Sequence, residues 1–217
     1  MPAPRTRRAE RKQATRLRLF DVAMRLFHRR GYDVVNVDDI VRASKVARGT
    51  FYFHFPSKDD ILYEAVRRGE DAIVARMAAV SADRSFRELL AAICDGFAAT
   101  WGARRELLVQ AGMVGLRRTI STARAREEEP LRLELVRHVE RARSNGELLS
   151  VLPPQILADV FLLNVFAALM AWAPTGEPPL DVVMPGVIDL FLHGAEGFGA
   201  PARSTRREKK TRLPAKR

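Results

Sequence analysis

The stretch VARGTFYFHFPSKDD, residues 46–60, holds five consecutive ring-bearing side chains between two basic residues. The rings belong to Phe51, Tyr52, Phe53, His54 and Phe55. If the run is a short helix, Phe51 and Phe55 lie four residues apart and face the core with Val46. The other rings then face outward with Arg48 and Thr50. The alternative is that all five rings are core, but a short helix in a small domain cannot bury every face.

The residues before this stretch predict two helices. TRLRLFDVAMRLFHRRGYD, residues 15–33, carries an apolar stripe at helical spacing, and Gly31 stands where a glycine is favoured after a helix. NVDDIVRAS, residues 36–44, opens with Asn36 as N-cap and Asp39 at the third helical position. The second predicted helix is therefore short and the first is long.

A third and a fourth helix follow. The aromatic run predicts a helix over about residues 48–54, which Pro56 separates from the next. The fourth begins with Ser57 as N-cap and Asp60 at the third position, and its periodicity continues to about Val80. Two short helices joined by a tight turn, supported by a longer first helix, are the parts of a helix-turn-helix.

The outward face of the third helix suits a DNA groove. Arg48 lies near the helix N-terminus, where it can form a bidentate pair with guanine. Tyr52 and His54 offer donors to phosphate oxygens. Lys58 and the backbone amides at the start of the fourth helix predict another phosphate site.

The distribution of charge agrees with an anionic partner. The formal net charge is +11. Residues 1–60 hold 14 Lys and Arg against 7 Asp and Glu, and residues 201–217 hold 8 against 1. Residues 61–200 hold 15 against 18, so the positive surplus is confined to the two ends. Ordinary charge in the body with basic ends is typical of a nucleic-acid-binding protein.

Other features bound the cellular setting. Cys94 is the single cysteine, which excludes an internal disulfide and a Cys-rich zinc site. The charged start MPAPRTRRAERK lacks the apolar run of a signal peptide, so a cytoplasmic protein is predicted. The longest apolar stretch, residues 156–173, contains Asp159 and Asn164, which favours a soluble helix buried on more than one face. No membrane partner is expected.

Residues 16–68 resemble the DNA-binding domain of the tetracycline-repressor (TetR) family. The resemblance lies in LFDVAMRLFHRRGYD, VDDIVRASKVARGTFYFHF and PSKDDIL, which match the family without gaps over about a quarter of the chain. It implies an all-α homodimer with an N-terminal three-helix helix-turn-helix domain. It also implies a larger C-terminal helical domain that binds an effector and dimerises through a four-helix bundle of its last two long helices.

The resemblance and the composition together predict four segments. Residues 1–15 are a basic disordered arm, and residues 16–62 are the helix-turn-helix domain. Residues 63–200 are the effector-binding and dimerisation domain, and residues 201–217 are a basic disordered tail. The tail is either a solvated end or a flexible arm that adds positive charge beside the operator.

Two positions depart from the family pattern. Lys45 replaces the usual turn glycine, so a positive φ there would cost of order 1 kcal/mol, although its ammonium would then reach toward a phosphate. Ala47 replaces the usual hydroxyl residue and cannot cap, which costs about 1 kcal/mol. The predicted DNA-contacting residues are Asn36, Lys45, Ala47, Arg48, Gly49, Thr50, Tyr52, Phe53, His54 and Lys58.

The C-terminal part is apolar and helical, without a signature of any particular ligand. The residues predicted to line an effector pocket are Phe97, Trp101, Met113, Phe161 and Phe166. Ordinary core packing is the alternative for each, since large apolar residues at helical spacing are usually core. Cys94 is interpreted as a buried small hydrophobe rather than an oxidant sensor. His138 and His193 lack partners at ligand spacing, so no metal site is predicted.

The sequence favours one of three classes of function. An enzyme is disfavoured because the chain has no glycine-rich phosphate loop, nucleophile elbow or metal spacing, so no catalytic residue and no cofactor are predicted. The favoured function is a dimeric repressor that binds double-stranded palindromic operator DNA and is released by an unidentified, mainly apolar small molecule. The alternative is an effector-independent regulator or architectural protein whose C-terminal domain only dimerises. A cavity in the C-terminal domain would favour the repressor that a small molecule releases, and a filled core would favour the effector-independent protein.

Overall fold

The computed structural model of the chain describes residues 7–80, 84–121 and 129–197, and within these ranges it contains helices and no strand. A 3₁₀ turn spans Gly102–Arg104. The helices are α1 Arg7–Arg30, α2 Val37–Ser44, α3 Arg48–His54, α4 Lys58–Ala79, α5 Phe86–Trp101, α6 Arg105–Ser121, α7 Pro130–Ser144, α8 Pro154–Trp172 and α9 Leu180–Gly197. The all-α prediction is confirmed.

Local sequence signals account for the starts of α2 and α4. The Asn36 side chain accepts from the Asp39 amide at 2.9 Å, and the Asp39 carboxylate accepts from the Asn36 amide, which is a complete capping box. Ser57 caps α4 by accepting from the Asp60 amide. Gly31 has a φ of 83°, as expected for a glycine after a helix. The predicted caps are confirmed.

The turn between α2 and α3 is built without the usual glycine. Lys45 has φ 51° and ψ 49°, and its amide donates to the carbonyls of Arg42 and Val41 at the end of α2. Ala47 is the N-cap of α3 and makes no side-chain cap bond. Lys45 therefore adopts the positive φ of a turn glycine, and α3 begins without a side-chain cap at Ala47.

The beginning of α1 corrects one prediction. Residues 7–15 are helical, so the disordered arm predicted over residues 1–15 is wrong for that part. The reason is composition, because RRAERKQAT consists mostly of strong helix formers with Glu10 in the first turn. Residues 1–6 and the predicted tail, residues 201–217, lie outside the described residues.

The C-terminal helices form a layered bundle around α4. This helix packs against α5, α6 and α7, while α8 packs against α7, α9 and α6. One face of α8 is fully buried, and the opposite face exposes apolar residues. By length and composition alone α8 could cross a membrane, although a core helix passes the same test. Pro185, predicted either in the first turn or as a kink, lies inside α9 beyond its first turn.

Candidate functional site

Helix α3 presents two opposite faces. Phe51 and Phe55 are completely buried, whereas the side chains of Tyr52 and Phe53 are 45% and 68% exposed. Arg48, in the first turn, is also exposed, and its guanidinium lies 3.1 Å from the carboxylate of Asp38 on α2. The alternative that all five rings are core is therefore wrong. The helix offers one cation and two aromatic side chains on its outer face.

Arg48 is held in place from two sides. Asp38 bonds one end of its guanidinium, and the Tyr52 hydroxyl lies 3.5 Å from the other. The Tyr52 bond and then the Asp38 charge raise the pKa of Arg48, which stays fully protonated. An exposed guanidinium that is oriented in this way keeps free donors for a further acceptor.

His54 does not lie on the outer face, contrary to the prediction. It is 8% exposed, and its ring packs edge-on against Phe53 with centroids 5.1 Å apart. Arg16 of α1 donates to the His54 carbonyl at 2.6 Å. Burial, and then the charges of Arg16 and Lys12, lower the pKa of His54, so the ring is neutral at pH 7. The long α1 covers the end of α3, which the local sequence pattern could not show.

Lys58 has protein partners for its ammonium. It donates to the carbonyls of Tyr32 and Val35 at 2.9 and 3.1 Å, and it lies 4.3 Å from the centre of the Tyr32 ring. These bonds tie the start of α4 to the loop before α2. A phosphate contact by Lys58 remains a prediction, and it would have to share the ammonium with these carbonyls.

The remaining predicted DNA-contacting residues surround this face. Lys45, Ala47 and Gly49 are exposed, and a Cβ built on Gly49 would meet no atom within 4 Å. Thr50 is half-buried, and the Asn36 side chain is engaged in its capping bond. The open space at Gly49 permits the close approach of another backbone.

The N-terminal turns of α1 add positive charge within the segment that the sequence predicts to be a disordered arm. The Lys12 ammonium lies 4.8 Å from the centre of the Phe53 ring. The exposed basic residues of these turns are Arg7, Arg8, Arg11 and Lys12. Helix propensity would have indicated this extension of α1.

A cavity of about 400 Å³ lies in the C-terminal helices, walled by α4 to α8. Most of its lining is apolar. The ring-bearing lining residues are Phe97, Trp101 and Phe166, and the charged ones are Glu70, Glu129, Arg132 and Asp159. Its volume falls within the range of sites for small organic ligands.

Three of the five residues predicted for a pocket line this cavity, and two do not. Met113 is 48% exposed on α6, next to Gly112, which does line the cavity. Phe161 is completely buried and packs against Phe191 of α9, with ring centroids 5.1 Å apart. Helices that are apolar on several sides gave no indication of which face the cavity occupies.

Sequence reasoning also missed the charged part of the lining. Glu70 in α4 is mostly buried, and burial together with the Glu129 charge raises its pKa to about 7. Arg132 of α7 bonds both carboxylate oxygens of Asp159 of α8, at 2.6 and 3.3 Å. Asp159 interrupts the apolar stretch of α8, which was the available signal for a polar wall.

Cys94 lies in the hydrophobic core, as the sequence predicts. Cys94 is buried, and burial raises the pKa of its thiol to about 12, which disfavours the reactive thiolate. In the part of the chain that the structure describes, no group of three His, Cys, Asp or Glu side chains could hold a metal ion.

Known proteins with similar sequence share the N-terminal helices. Residues 19–65 match the family model of bacterial regulatory proteins, tetR family. The transcriptional regulator AcrR of Shigella flexneri is 38% identical over 61 residues, which are 28% of this chain and 28% of AcrR. The chain therefore aligns with only about a quarter of the length of this curated relative.

Solved structures resemble the whole described fold. Thermus thermophilus FadR, a TetR-family repressor in complex with lauroyl-CoA, is 25% identical, with a TM-score of 0.68 over 86% of this chain and 98% of FadR. Bacillus subtilis FadR in complex with stearoyl-CoA is 18% identical, with a TM-score of 0.66 over 82% and 98%. The helix-turn-helix of this chain thus matches the tetR family of bacterial regulatory proteins, and its described fold resembles that of a solved TetR-family repressor.

Proposed function

We propose that the protein is a cytoplasmic, dimeric transcriptional repressor that binds a palindromic operator and leaves it when a small molecule occupies the cavity. The observation that carries this proposal is the two-faced helix α3. Its buried Phe51 and Phe55 fix the helix on the domain, while Arg48, Tyr52 and Phe53 remain free to enter a major groove.

The contacts follow from what each side chain can donate. Arg48 reads a guanine in each half-site through its bidentate fork. Tyr52 and Thr50 contact phosphates, and Lys45 reaches a phosphate from the turn. Lys12 and the other basic residues of the first turns of α1 contact phosphates that flank the half-site.

The exposed stripe on α8 supports dimerisation. Ile156, Val160 and Leu163 follow one another at helical spacing and are 46%, 39% and 51% exposed. Val182 and Leu190 of α9 are 62% and 70% exposed. Apolar surfaces on two neighbouring helices favour association with a second copy of the chain, which would bury both stripes in a four-helix bundle.

The cavity supports a ligand-responsive regulator over one whose C-terminal domain only dimerises. The lining is mainly apolar, and FadR of Thermus thermophilus holds lauroyl-CoA, a molecule with a long apolar chain. We therefore propose an effector with a substantial apolar part. It acts by binding more tightly to the conformation in which the two α3 helices no longer match successive grooves.

The proposal is tested at Arg48. Arg48→Ala should weaken operator binding by about 1–3 kcal/mol and relax preference at one base pair per half-site. The control is Arg137→Ala, which removes an arginine of α7 whose side chain is 70% exposed, compared with 62% for Arg48. Binding curves on an operator taken from the gene's upstream DNA, and on single-base variants of it, provide the measurement. An equal loss on every sequence would show that Arg48 contacts a phosphate instead.

A further inference from the structure

Phe53 is the most exposed ring of helix α3. It is 68% exposed, compared with 45% for Tyr52, while Phe51 and Phe55 are completely buried. A phenylalanine on the surface forgoes the stabilisation that burial of its ring would give. A single exposed apolar side chain is ordinary on a protein surface, so the groups around the ring have to indicate what it contacts.

The Phe53 ring is held from two sides. The Lys12 ammonium of α1 lies 4.8 Å from the ring centre. The His54 ring packs edge-on against it, with centroids 5.1 Å apart and an angle of 80° between the planes. His54 is itself buried, so it gives the ring a fixed support. A ring that is already oriented loses little conformational freedom when it binds a partner.

Gly49 leaves an open space one helical turn before Phe53. Helical side chains point back toward the preceding turn, so the Phe53 ring leans toward the position where Gly49 has no side chain. Apart from Arg48, Thr50 and the backbone of α3, no atom in the described part of the chain lies within 4 Å of a Cβ built on Gly49. The Phe53 ring and the bare Gly49 backbone thus border a notch that can hold a methyl-sized group.

The charges around this notch indicate DNA rather than another protein. Lys12 lies over the Phe53 ring, Arg48 precedes Gly49 in the chain, and both cations are exposed. Double-stranded DNA offers the matching combination. Its phosphate oxygens and base acceptors suit the two cations, and the C5-methyl group of thymine is an apolar group in the same major groove.

We infer that Phe53 and Gly49 recognise the C5-methyl group of one thymine in each half-site of the operator. This inference rests on the proposed function, since it takes α3 to be the helix that enters the major groove. Phe53 lies five residues after Arg48 and projects from a different side of α3, so the thymine and the guanine belong to different base pairs. The notch thus adds an apolar contact to the hydrogen bonds of Arg48.

The test removes the methyl group from the DNA. Duplexes that bind the protein are selected from a pool of random sequences, and each thymine of the selected duplex is replaced in turn by deoxyuridine, which lacks only the C5-methyl group. Binding is measured by fluorescence anisotropy. At one thymine position the replacement should weaken binding about fourfold, the effect of one buried methyl-sized group, and in both half-sites about 16-fold.

The matching variants remove the ring or fill the notch. Phe53→Ala should bind the thymine and deoxyuridine duplexes equally, within about twofold, whereas Phe53→Leu keeps an apolar side chain and should keep part of the preference. Gly49→Ala fills the notch, so it should weaken binding of the thymine duplex more than that of the deoxyuridine duplex. The control is Leu149→Ala, which removes an apolar side chain that is 65% exposed between α7 and α8 and should retain the full preference.

Two results would overturn the inference: equal binding of the thymine and deoxyuridine duplexes by the parent protein at every position, or a full preference for thymine in Phe53→Ala. If Arg48→Ala relaxes the preference for a guanine while no thymine methyl group affects binding, the inference fails and the proposed function stands. If the selection enriches no sequence, the proposed function fails, and the inference fails with it.

Discussion

The guanidinium of Arg118 on α6 bonds the carboxylate of Asp60 in the first turn of α4. Residues of α6 form one wall of the cavity, and the start of α4 is tied through Lys58 to the loop before α2. The bond therefore joins the cavity wall to the helix-turn-helix. Burial opposes ionisation of Asp60, but the Ser57 hydroxyl and Arg118 outweigh it and lower the Asp60 pKa.

Removing this bond should loosen the start of α4. Arg118→Gln should cost about 1 kcal/mol of unfolding free energy, since Arg118 is partly exposed, and should speed amide hydrogen exchange in the first turn of α4. Arg117→Gln is the control, because Arg117 is more exposed and lies 3.5 Å from Asp59. Unchanged exchange at the start of α4 in Arg118→Gln would show that the bond does not hold the two helices together.

The two cavity glycines of α6 should respond differently to alanine. A Cβ on Gly112 would lie 2.9 Å from the edge of the Phe166 ring and 3.0 Å from the Met170 methyl, whereas one on Gly115 would lie 3.8 Å from Val66. Gly115→Ala should stabilise the protein by about 0.5–1 kcal/mol through helix propensity. Gly112→Ala should instead lose about 1 kcal/mol to crowding.

Urea unfolding of both alanine variants measures this difference. Gly112→Ala should also shrink the cavity, because Phe166 has to move, and should weaken binding of dodecanol, used as a neutral apolar probe of the cavity, more than Gly115→Ala does. Equal stabilisation by the two substitutions would mean that α6 and α8 can separate at no cost.

Signals confined to a few residues predicted the structure well. The capping bonds at Asn36 and Ser57 follow from local hydrogen bonding, so the sequence contains what decides them. The positive φ of Lys45 was considered only because the resemblance to the TetR family places Lys45 at the usual turn glycine. The burial of Phe51 and Phe55 follows in the same way from helical spacing.

Features set by distant packing were missed. His54 is buried because α1 covers it, through Arg16, a residue 38 positions away. Glu70 stands within the sequence RRGED and resembles any surface carboxylate until α7 brings Glu129 beside it. Phe161 faces α9 rather than the cavity because α8 is apolar on several sides, and only the positions of its neighbours determine which side is which.

The turn at Lys45 provides a test with two readouts. Lys45→Gly should stabilise the protein by about 1 kcal/mol, because glycine adopts a φ of 51° without strain. Lys45→Ala keeps the strain and should leave stability nearly unchanged. If the ammonium contacts a phosphate, both variants should bind operator more weakly, with a slope of log K against log salt shallower by about 0.9.

These two readouts separate two roles of one residue. Equal stability of the glycine and alanine variants in denaturant unfolding would rule out backbone strain at Lys45. A salt slope unchanged in both would remove Lys45 from the proposed DNA interface.

Glu70 should make stability depend on pH in a direction opposite to that of an ion-paired carboxylate. Its pKa is raised from 4.5 to about 7 in the folded protein, so between these values the folded state holds a proton that the unfolded chain has released. The stability that Glu70 gives the fold in its protonated form is fully present below pH 4.5. Roughly 3 kcal/mol of it is lost as the pH rises to 7. Glu70→Gln lacks the titrating group, so its stability relative to the parent protein should rise across this window and stay constant above it. Urea unfolding of both proteins at a series of pH values measures the difference. The control is Asp71→Asn, which removes the neighbouring, exposed carboxylate of α4. Parallel curves of stability against pH for the parent and Glu70→Gln would show that Glu70 is ionised at no cost.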